Sequence, residues 1–341
     1  MSHVQTRIIG RMGRITLTRL EALNALSHEM CLQIEAAIDM WRDDPAVQLV
    51  MLDAAGPKAF CAGGDVAGLR ADIIDGRIDK ARAFWRDEYR LNAKLGCYPK
   101  PIVSLMQGFV LGGGVGLGCH VPYRVIGEST KIAMPECAIG LVPDVGGSLL
   151  LANAPKGLGL YMGLTGARLT GGDILWAGFA DHYLPEARWD ALRDALAESG
   201  DPAIIAQLAE KPPRASLQDK AAWVERMFAD RDLGDLGQDL AADDDPLAAP
   251  ALAAINRASP LSLDVTRALL AQLRGTQDLR YALAMEYRFT ARADRSDFAE
   301  GVRALLIDKD QTPQWRADRR GAAAMLADLG PDALDIGPAC G

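Results

Sequence analysis

The sequence predicts an α/β fold with parallel strands, and three observations carry that expectation. Short apolar runs, among them residues 47–52 (VQLVML) and 101–106 (PIVSLM), have the length and continuity of buried strands. Between them lie segments whose apolar residues recur at helical spacing. Glycine-bearing loops follow the strands, as they do at the carboxyl ends of a parallel sheet. The bulk composition agrees: 341 residues, 49% hydrophobic and 24% charged, is a globular mix and far less polar than a disordered chain. A chain of this length buries enough core to need no disulfide staples.

The elements follow in order. Residues 4–10 and 13–18 alternate around Arg11-Met12-Gly13, which reads as a hairpin with a Gly-bearing turn. Met30, Ile34, Ala37, Ile38 and Trp41 give residues 27–42 a helical stripe, with Ser27 as N-cap and Asp43-Asp44-Pro45 as the stop. The strand at 47–52 runs into a loop at Asp53-Ala54-Ala55-Gly56. A helix over 81–95 precedes the strand at 101–106. Gly112-Gly113-Gly114 then opens an apolar stretch that reads as a helix. Residues 123–126 and 131–133 are further short strands. Beyond Gly147 the chain turns helical, with one helix over 148–164 and another over 171–177. From Glu186 helix formers dominate. Lys211-Pro212-Pro213 and the acidic 241–246 read as connections, and 262–274 and 279–293 as two more helices. The expected organisation is a core over residues 1–185 and a helical region over 186–341. No fixed-period repeat occurs.

Charge and cysteine usage exclude several classes. The net charge of −8 argues against nucleic-acid and membrane-surface partners, which select basic faces. No run of about 18 apolar residues exists, so no transmembrane helix is expected. The first residues lack the apolar core of a signal peptide. Six cysteines without a C-x-x-C pair read as unpaired thiols in a reducing, cytoplasmic setting. Four scattered histidines without H-E-x-x-H give no metal site, and no G-x-S-x-G elbow is present. The glycine runs match neither a dinucleotide-binding fingerprint nor a Walker A loop. Neither a metal nor a cofactor is expected.

Three segments carry the chemistry. In Lys58-Ala59-Phe60-Cys61-Ala62-Gly63-Gly64-Asp65 a Gly pair after a strand lets backbone N–H groups approach a ligand. In Gly112-Gly113-Gly114-Val115-Gly116 three glycines open a helix and present N–H groups with no intrahelical partner. Together the two can supply two donors to a developing oxyanion; each alone is equally a tight turn. Cys61, beside the first pair, is either a nucleophile or a small packed thiol. The third segment, residues 134–147, sets Glu136 and Asp144 in an apolar run punctuated by Pro and Gly. Such surroundings desolvate a carboxylate and raise its pKa toward working pH, which suits acid–base work. The alternatives are that both face solvent, or that Asp144 caps the next helix.

These segments, in their order and spacing, resemble the crotonase (enoyl-CoA hydratase/isomerase) superfamily. Residues 19–26 (RLEALNAL), 58–65, 108–116 and 134–147 carry the match. Residues 87–92 (DEYRLN), the 112–117 run, Pro143-Asp144-Val145-Gly146-Gly147 and the stretch 297–310 are most similar to its 3-hydroxyisobutyryl-CoA hydrolase branch. The resemblance implies a spiral of stacked ββα turns with a C-terminal helical region. It implies an acyl-CoA thioester with its carbonyl oxygen between the N–H groups of Gly64 and Gly113, and substrate contacts at Glu88, Gly113, Glu136 and Asp144. Arg19 resembles a position near the CoA, and Lys58 is a second candidate cation for its phosphates; both are equally readable as surface charges. Hydratases of the superfamily carry a catalytic Glu where this chain has Gly116. Glu136 matches their second Glu, and Asp144 is the carboxylate that the hydrolases add. The implied activity is thioester hydrolysis, with CoA as part of the substrate. Hydration or isomerisation of an enoyl-CoA, and simple acyl-CoA binding, are the competing readings. A homo-oligomer is a further expectation, since superfamily members often assemble.

Overall fold

The computed structural model describes residues 2–229, 232–316 and 321–337. Strands β1 (Val4–Ile9) and β2 (Met12–Leu17) form the expected antiparallel hairpin. Its turn is Gly10-Arg11, however, and Met12 and Gly13 lie inside β2. Gly10 has φ +56°, which suits the turn. Gly13 is small for another reason: a Cβ there would lie 2.6 Å from the Trp41 ring. Helix α1 (His28–Trp41) starts as predicted, with the Ser27 hydroxyl accepting the Met30 N–H.

From β3 (Leu49–Ala54) the chain settles into a repeating path. It runs through β4 (Ala59–Cys61), α2 (Val66–Ile74), α3 (Ile78–Gly96), β5 (Ile102–Met106), β6 (Phe109–Leu111) and α4 (Gly113–Gly118). Strands β7 (Tyr123–Ile126) and β8 (Lys131–Ala133) complete the next turn. Strands β3, β5 and β7 pair in parallel in one sheet; β4, β6 and β8 pair in parallel in another. Each turn therefore gives one strand to each sheet before a helix, which is the expected ββα spiral. Next come α5 (Gly147–Asn153), α6 (Leu158–Thr165), β9 (Leu169–Thr170), α7 (Gly172–Trp176) and β10 (His182–Tyr183). Strand β9 closes the four-stranded sheet antiparallel to β8, and β10 extends the six-stranded one beside β7. The single helix expected over 148–164 is two, because Pro155 and Gly157, at φ +83°, interrupt it.

The remaining helices are α8 (Trp189–Ser199), α9 (Ile204–Leu208), α10 (Ala221–Phe228), α11 (Leu233–Ala242), α12 (Ala248–Arg257), α13 (Pro260–Leu273), α14 (Leu279–Thr290), α15 (Phe298–Val302) and α16 (Gly321–Met325). The composition change at residue 186 marks a change of element type within shared packing. Helices α8 and α9 lay Trp189, Leu192, Leu196 and Ile205 on Met12, Leu49, Met51, Val103 and Leu105 of the six-stranded sheet. Full burial of each such side chain contributes about 1.5–3 kcal/mol. Beneath them buried Asp53 pairs with Arg14 at 2.8 Å and Arg193 at 3.1 Å, and accepts the Thr16 hydroxyl at 2.7 Å. A buried carboxylate requires such partners. The larger core cluster runs without a break from Ile15 through Val302 to Met325.

Cys31, Cys61, Cys119 and Cys137 are free and buried. Cys97 is disulfide-bonded, which departs from the expectation of unpaired thiols; Cys340 lies outside the described residues. Among the described residues no helix is long and apolar enough to cross a membrane.

Candidate active site

Gly64, Glu88, Gly113, Glu136 and Asp144 line one cavity of about 360 Å³. The spiral brings them together. Strands β4 and β6 are paired neighbours, so the loops that follow them leave the sheet side by side.

The first loop is pinned on both sides of Gly64. Leu26 N–H donates to the Gly63 carbonyl at 2.8 Å, and Asp65 N–H to the Leu26 carbonyl at 2.9 Å. The Gly64 N–H between them has no partner among the described residues. Asp65 then caps α2 through the Gly68 N–H at 3.2 Å. The second loop turns at Gly112, φ +43°, into α4, whose first N–H, on Gly113, is likewise free of an intrahelical acceptor. A Cβ on Gly113 would lie 3.5 Å from the Gly64 nitrogen and 2.8 Å from Glu88 Oε1. The two backbones meet closely because neither glycine carries a side chain.

The carboxylates arrive from three directions. Glu136 opens a 3₁₀ turn after β8, and its Oε1 lies 2.8 Å from where a Gly112 Cβ would be. Glu88 comes from α3. Asp144 sits in the loop before α5 and accepts the Tyr89 hydroxyl at 2.7 Å. All three are buried, which removes the solvent-facing alternative. Asp144 is not a helix cap either, since Gly146 occupies that position of α5. Glu88 Oε1 and Glu136 Oε2 have no hydrogen-bond partner among the described residues. Unpaired buried oxygens are costly and uncommon, and both of these sit at the cavity. Cys61 is no nucleophile. Burial pushes its thiol up to about 12, and its Sγ turns to the Gly63 carbonyl at 3.5 Å.

Burial governs the electrostatics. Desolvation raises Glu136 and Glu88 well above the usual carboxylate range, and the neighbouring Asp144 charge adds to both shifts. Desolvation also lifts Asp144 to about 7, against the Tyr89 hydrogen bond, which favours the ionised form. A fourth carboxyl, Glu286 of α14, is fully buried and pushed up to about 8 by desolvation. It accepts the Gly146 N–H at 2.8 Å, the Ser148 N–H at 3.3 Å and the Ser148 hydroxyl. His120 holds the same loop from the other side, its Nε2 lying 2.9 Å from the Val145 carbonyl. Burial drives that imidazole down to about 4, so it is neutral and donates this bond. The loop is held in a costly shape, with Val145 at φ +53°.

Glu286 leads to a pH prediction. A carboxyl whose folded pKa exceeds its unfolded value favours the fold at low pH and loses that contribution as pH rises through the folded value. For Glu286 the window runs from 4.5 to about 8. Glu286→Gln does not titrate. Its melting temperature is expected to fall furthest below wild type at about pH 5 and least at about pH 9. A gap independent of pH would contradict this assignment.

Gly116 explains an absence. A Cβ there would lie 2.8 Å from Val145 Cβ and 2.8 Å from Asn92 Nδ2. The space that a longer side chain would need is filled by α3 and by the Asp144 loop. Gly116→Ala is expected to cost about 1–3 kcal/mol in denaturant unfolding, as overpacking does. Gly116→Glu is expected to cost more and to yield no hydration of crotonyl-CoA.

Arg19 and Lys58 do not line the cavity. Arg19 bonds Asp65 at 2.9 Å and the Ala25 carbonyl at 3.1 Å, and so braces the loop around Gly64. Lys58 is exposed in the loop just before β4. The cation at the cavity is Arg168, which the sequence reading missed; its guanidinium lies 5.4 Å from the centre of the Phe109 ring. Leu305 and Leu306, from the π-helical turn Arg303–Ile307, also close the cavity. Local pattern could not have found them, because the fold alone brings that turn to the cavity beside α2 and the Glu136–Ile139 turn. Among the described residues no set of three His, Cys, Asp or Glu is placed to hold a metal ion.

Comparison with known proteins fits this geometry. The family profile described as enoyl-CoA hydratase/isomerase matches residues 12–324. The chain is 40% identical over 321 residues to a mitochondrial 3-hydroxyisobutyryl-CoA hydrolase of Gallus gallus, covering 90% of this chain and 82% of that protein. The crystal structure of an enoyl-CoA hydratase from Rhodobacter sphaeroides 2.4.1 is similar at TM-score 0.93 and 48% identity, covering 98% of this chain and 100% of that one. That of a carnitinyl-CoA dehydratase from Mycobacterium thermoresistibile is similar at TM-score 0.92 and 38% identity, covering 98% and 99%.

Proposed function

The chain belongs to the enoyl-CoA hydratase/isomerase family, and from that premise we propose that it hydrolyses an acyl-CoA thioester, 3-hydroxyisobutyryl-CoA, to 3-hydroxyisobutyrate and free coenzyme A. The observation that carries this reading is the pairing of two unbonded N–H groups, on Gly64 and Gly113, with the unpartnered carboxylate of Glu136, while Asn92 and Val145 fill the space beside Gly116. Hydration across a double bond uses two carboxylates flanking it, and one of those positions is closed here.

The thioester carbonyl oxygen sits between the Gly64 and Gly113 N–H groups. As water adds, negative charge develops on that oxygen and the two donors stabilise it. Glu136 acts in its ionised form, the form that burial disfavours and so makes the more basic: it takes the proton of the attacking water, or alternatively its carboxylate attacks the carbonyl carbon and water cleaves the resulting anhydride. Either way the C–S bond breaks, the sulfur leaves as thiolate, and a proton returns to it. Asp144, lifted to about 7, holds a proton at neutral pH often enough to donate it. Glu88 Oε1, adjacent to Gly113 and unpaired, accepts the substrate's 3-hydroxyl. That contact favours a short hydroxyacyl group over a plain alkyl one, and with it a place in valine degradation. No cofactor enters the reaction.

A hydratase reading takes support from the names of the two solved relatives, and the filled space at Gly116 weighs against it. The test is CoA release from 3-hydroxyisobutyryl-CoA beside hydration of crotonyl-CoA. Thiol release with little hydration is expected. Brisk hydration without thiol release would overturn the proposal.

A further inference from the structure

A second cleft lies on the opposite face of α3 from the candidate site. Arg82, Arg86 and Arg90 recur every fourth residue and so share one helix face. Phe84, Trp85 and Glu88, which line the active-site cavity, fall on the other. The three arginines, with Arg292 and Arg295 just beyond α14, line a cavity of about 650 Å³.

These guanidinium groups are unequally committed. Arg82 donates to the Ala291 carbonyl at the end of α14, at 2.8 Å. Arg292 donates to the carbonyls of Arg288, Met325, Ala327 and Asp328. Both therefore brace the fold. Among the described residues Arg86 has only the adjacent Asp87, at 3.7 Å, and Arg295 only the adjacent Asp294, at 3.8 Å. Arg90 spends its Nε on the Asp335 carbonyl at 2.9 Å and lies 3.6 Å from that same Asp87. Four aspartates line the same cleft: Asp79 pairs with Arg82 at 3.2 Å and Asp328 lies 4.0 Å from Arg288, while the carboxylates of Asp332 and Asp335 come within 4 Å of no arginine among the described residues. The arginines also oppose one another: after burial, the charges of Arg295, Arg288 and Arg82 all disfavour protonated Arg292. The lining sets five arginines against the four aspartates Asp79, Asp328, Asp332 and Asp335, so the cleft is close to balanced in charge; what it offers is guanidinium donors on Arg86, Arg90 and Arg295 without close carboxylate partners.

We propose that this cleft binds a small anion carrying two or more phosphate charges, with Arg86, Arg90 and Arg295 as ligands. Guanidinium forks match phosphate oxygens two at a time, and an anion between them relieves the mutual repulsion. The site is separate from the thioester chemistry and does not depend on it.

The test is calorimetric titration of the full chain with inorganic pyrophosphate. Wild type is expected to bind, and added salt to weaken binding. Arg86→Ala/Arg295→Ala is expected to lose affinity about tenfold or more, with an unchanged melting curve without ligand. Arg86→Lys/Arg295→Lys, which keeps charge but not the fork, is expected to fall between. Glu136→Gln is expected to bind as wild type does. ADP and CoA serve as further probes: tighter binding than pyrophosphate, lost in the same double variant, assigns a nucleotide source, and equal binding assigns free polyphosphate. No binding of pyrophosphate by wild type, or undiminished binding by the double alanine variant, overturns the proposal.

Discussion

Glu136→Gln is expected to lower kcat for CoA release by roughly 10²- to 10⁴-fold, the usual contribution of a positioned acid or base. KM and affinity for CoA should change little, because the substitution is isosteric and the role proposed for Glu136 is at the thioester carbon rather than the nucleotide. The expectation rests on three facts: Glu136 is buried, its Oε2 is unpaired, and its Oε1 stands against the backbone at Gly112. A glutamine fills the same space, so folding is a weak confounder, and the amide relieves a carboxylate that burial and Asp144 disfavour. The variant should therefore melt at or above the wild-type temperature as pH rises while turning over far more slowly. Steady-state kinetics with a thiol-detecting reagent, beside a melting curve, separates the two effects. Wild-type turnover would remove Glu136 from the mechanism.

Gly113→Ala is expected to lower kcat by about 10²- to 10³-fold, the effect of removing one oxyanion donor. The methyl would sit 2.8 Å from Glu88 Oε1 and 3.5 Å from the Gly64 nitrogen, in the space where the thioester oxygen must enter. The N–H is still present in the variant; access to it is what is lost. Single-turnover rates should fall with kcat, since the loss is in the transition state. A variant that raises KM alone would mean that this N–H holds substrate without polarising it.

The spiral was legible because its signals are local. Local pattern gave β5, β7 and β8 to within a residue and Ser27 announced α1, but it set β3 two residues early and took Asp53 and Ala54, which lie inside that strand, for loop. Strands β4 and β6, at three residues each, were given no element, and their pairing is what joins the two glycine segments. Gly13 misled because a small residue dictated by the Trp41 ring looks in sequence like a turn. In the site, Gly64, Gly113, Glu88, Glu136 and Asp144 were legible through their motif context. Glu286 was not, for it sits mid-helix in α14 and gains meaning only by meeting the Asp144 loop across the fold. Arg168 and Leu305 were hidden for the same reason: their neighbours lie far away in sequence.

The pairing of β4 with β6 also sets which insertions and deletions the chain can survive. The two donors follow adjacent strands of one ladder whose register already shifts between Ala59 and Cys61, so their alignment depends on the residue count there, at about 3.3 Å per residue. A residue added or removed between Ala59 and Gly64 would do more than lengthen a loop. It would move the next N–H into Gly64's place and turn its neighbours to the other face. Length variation is accordingly expected to be lethal to activity there. The exposed turn at Asp75-Gly76, where a Cβ on the glycine meets nothing, should absorb it freely.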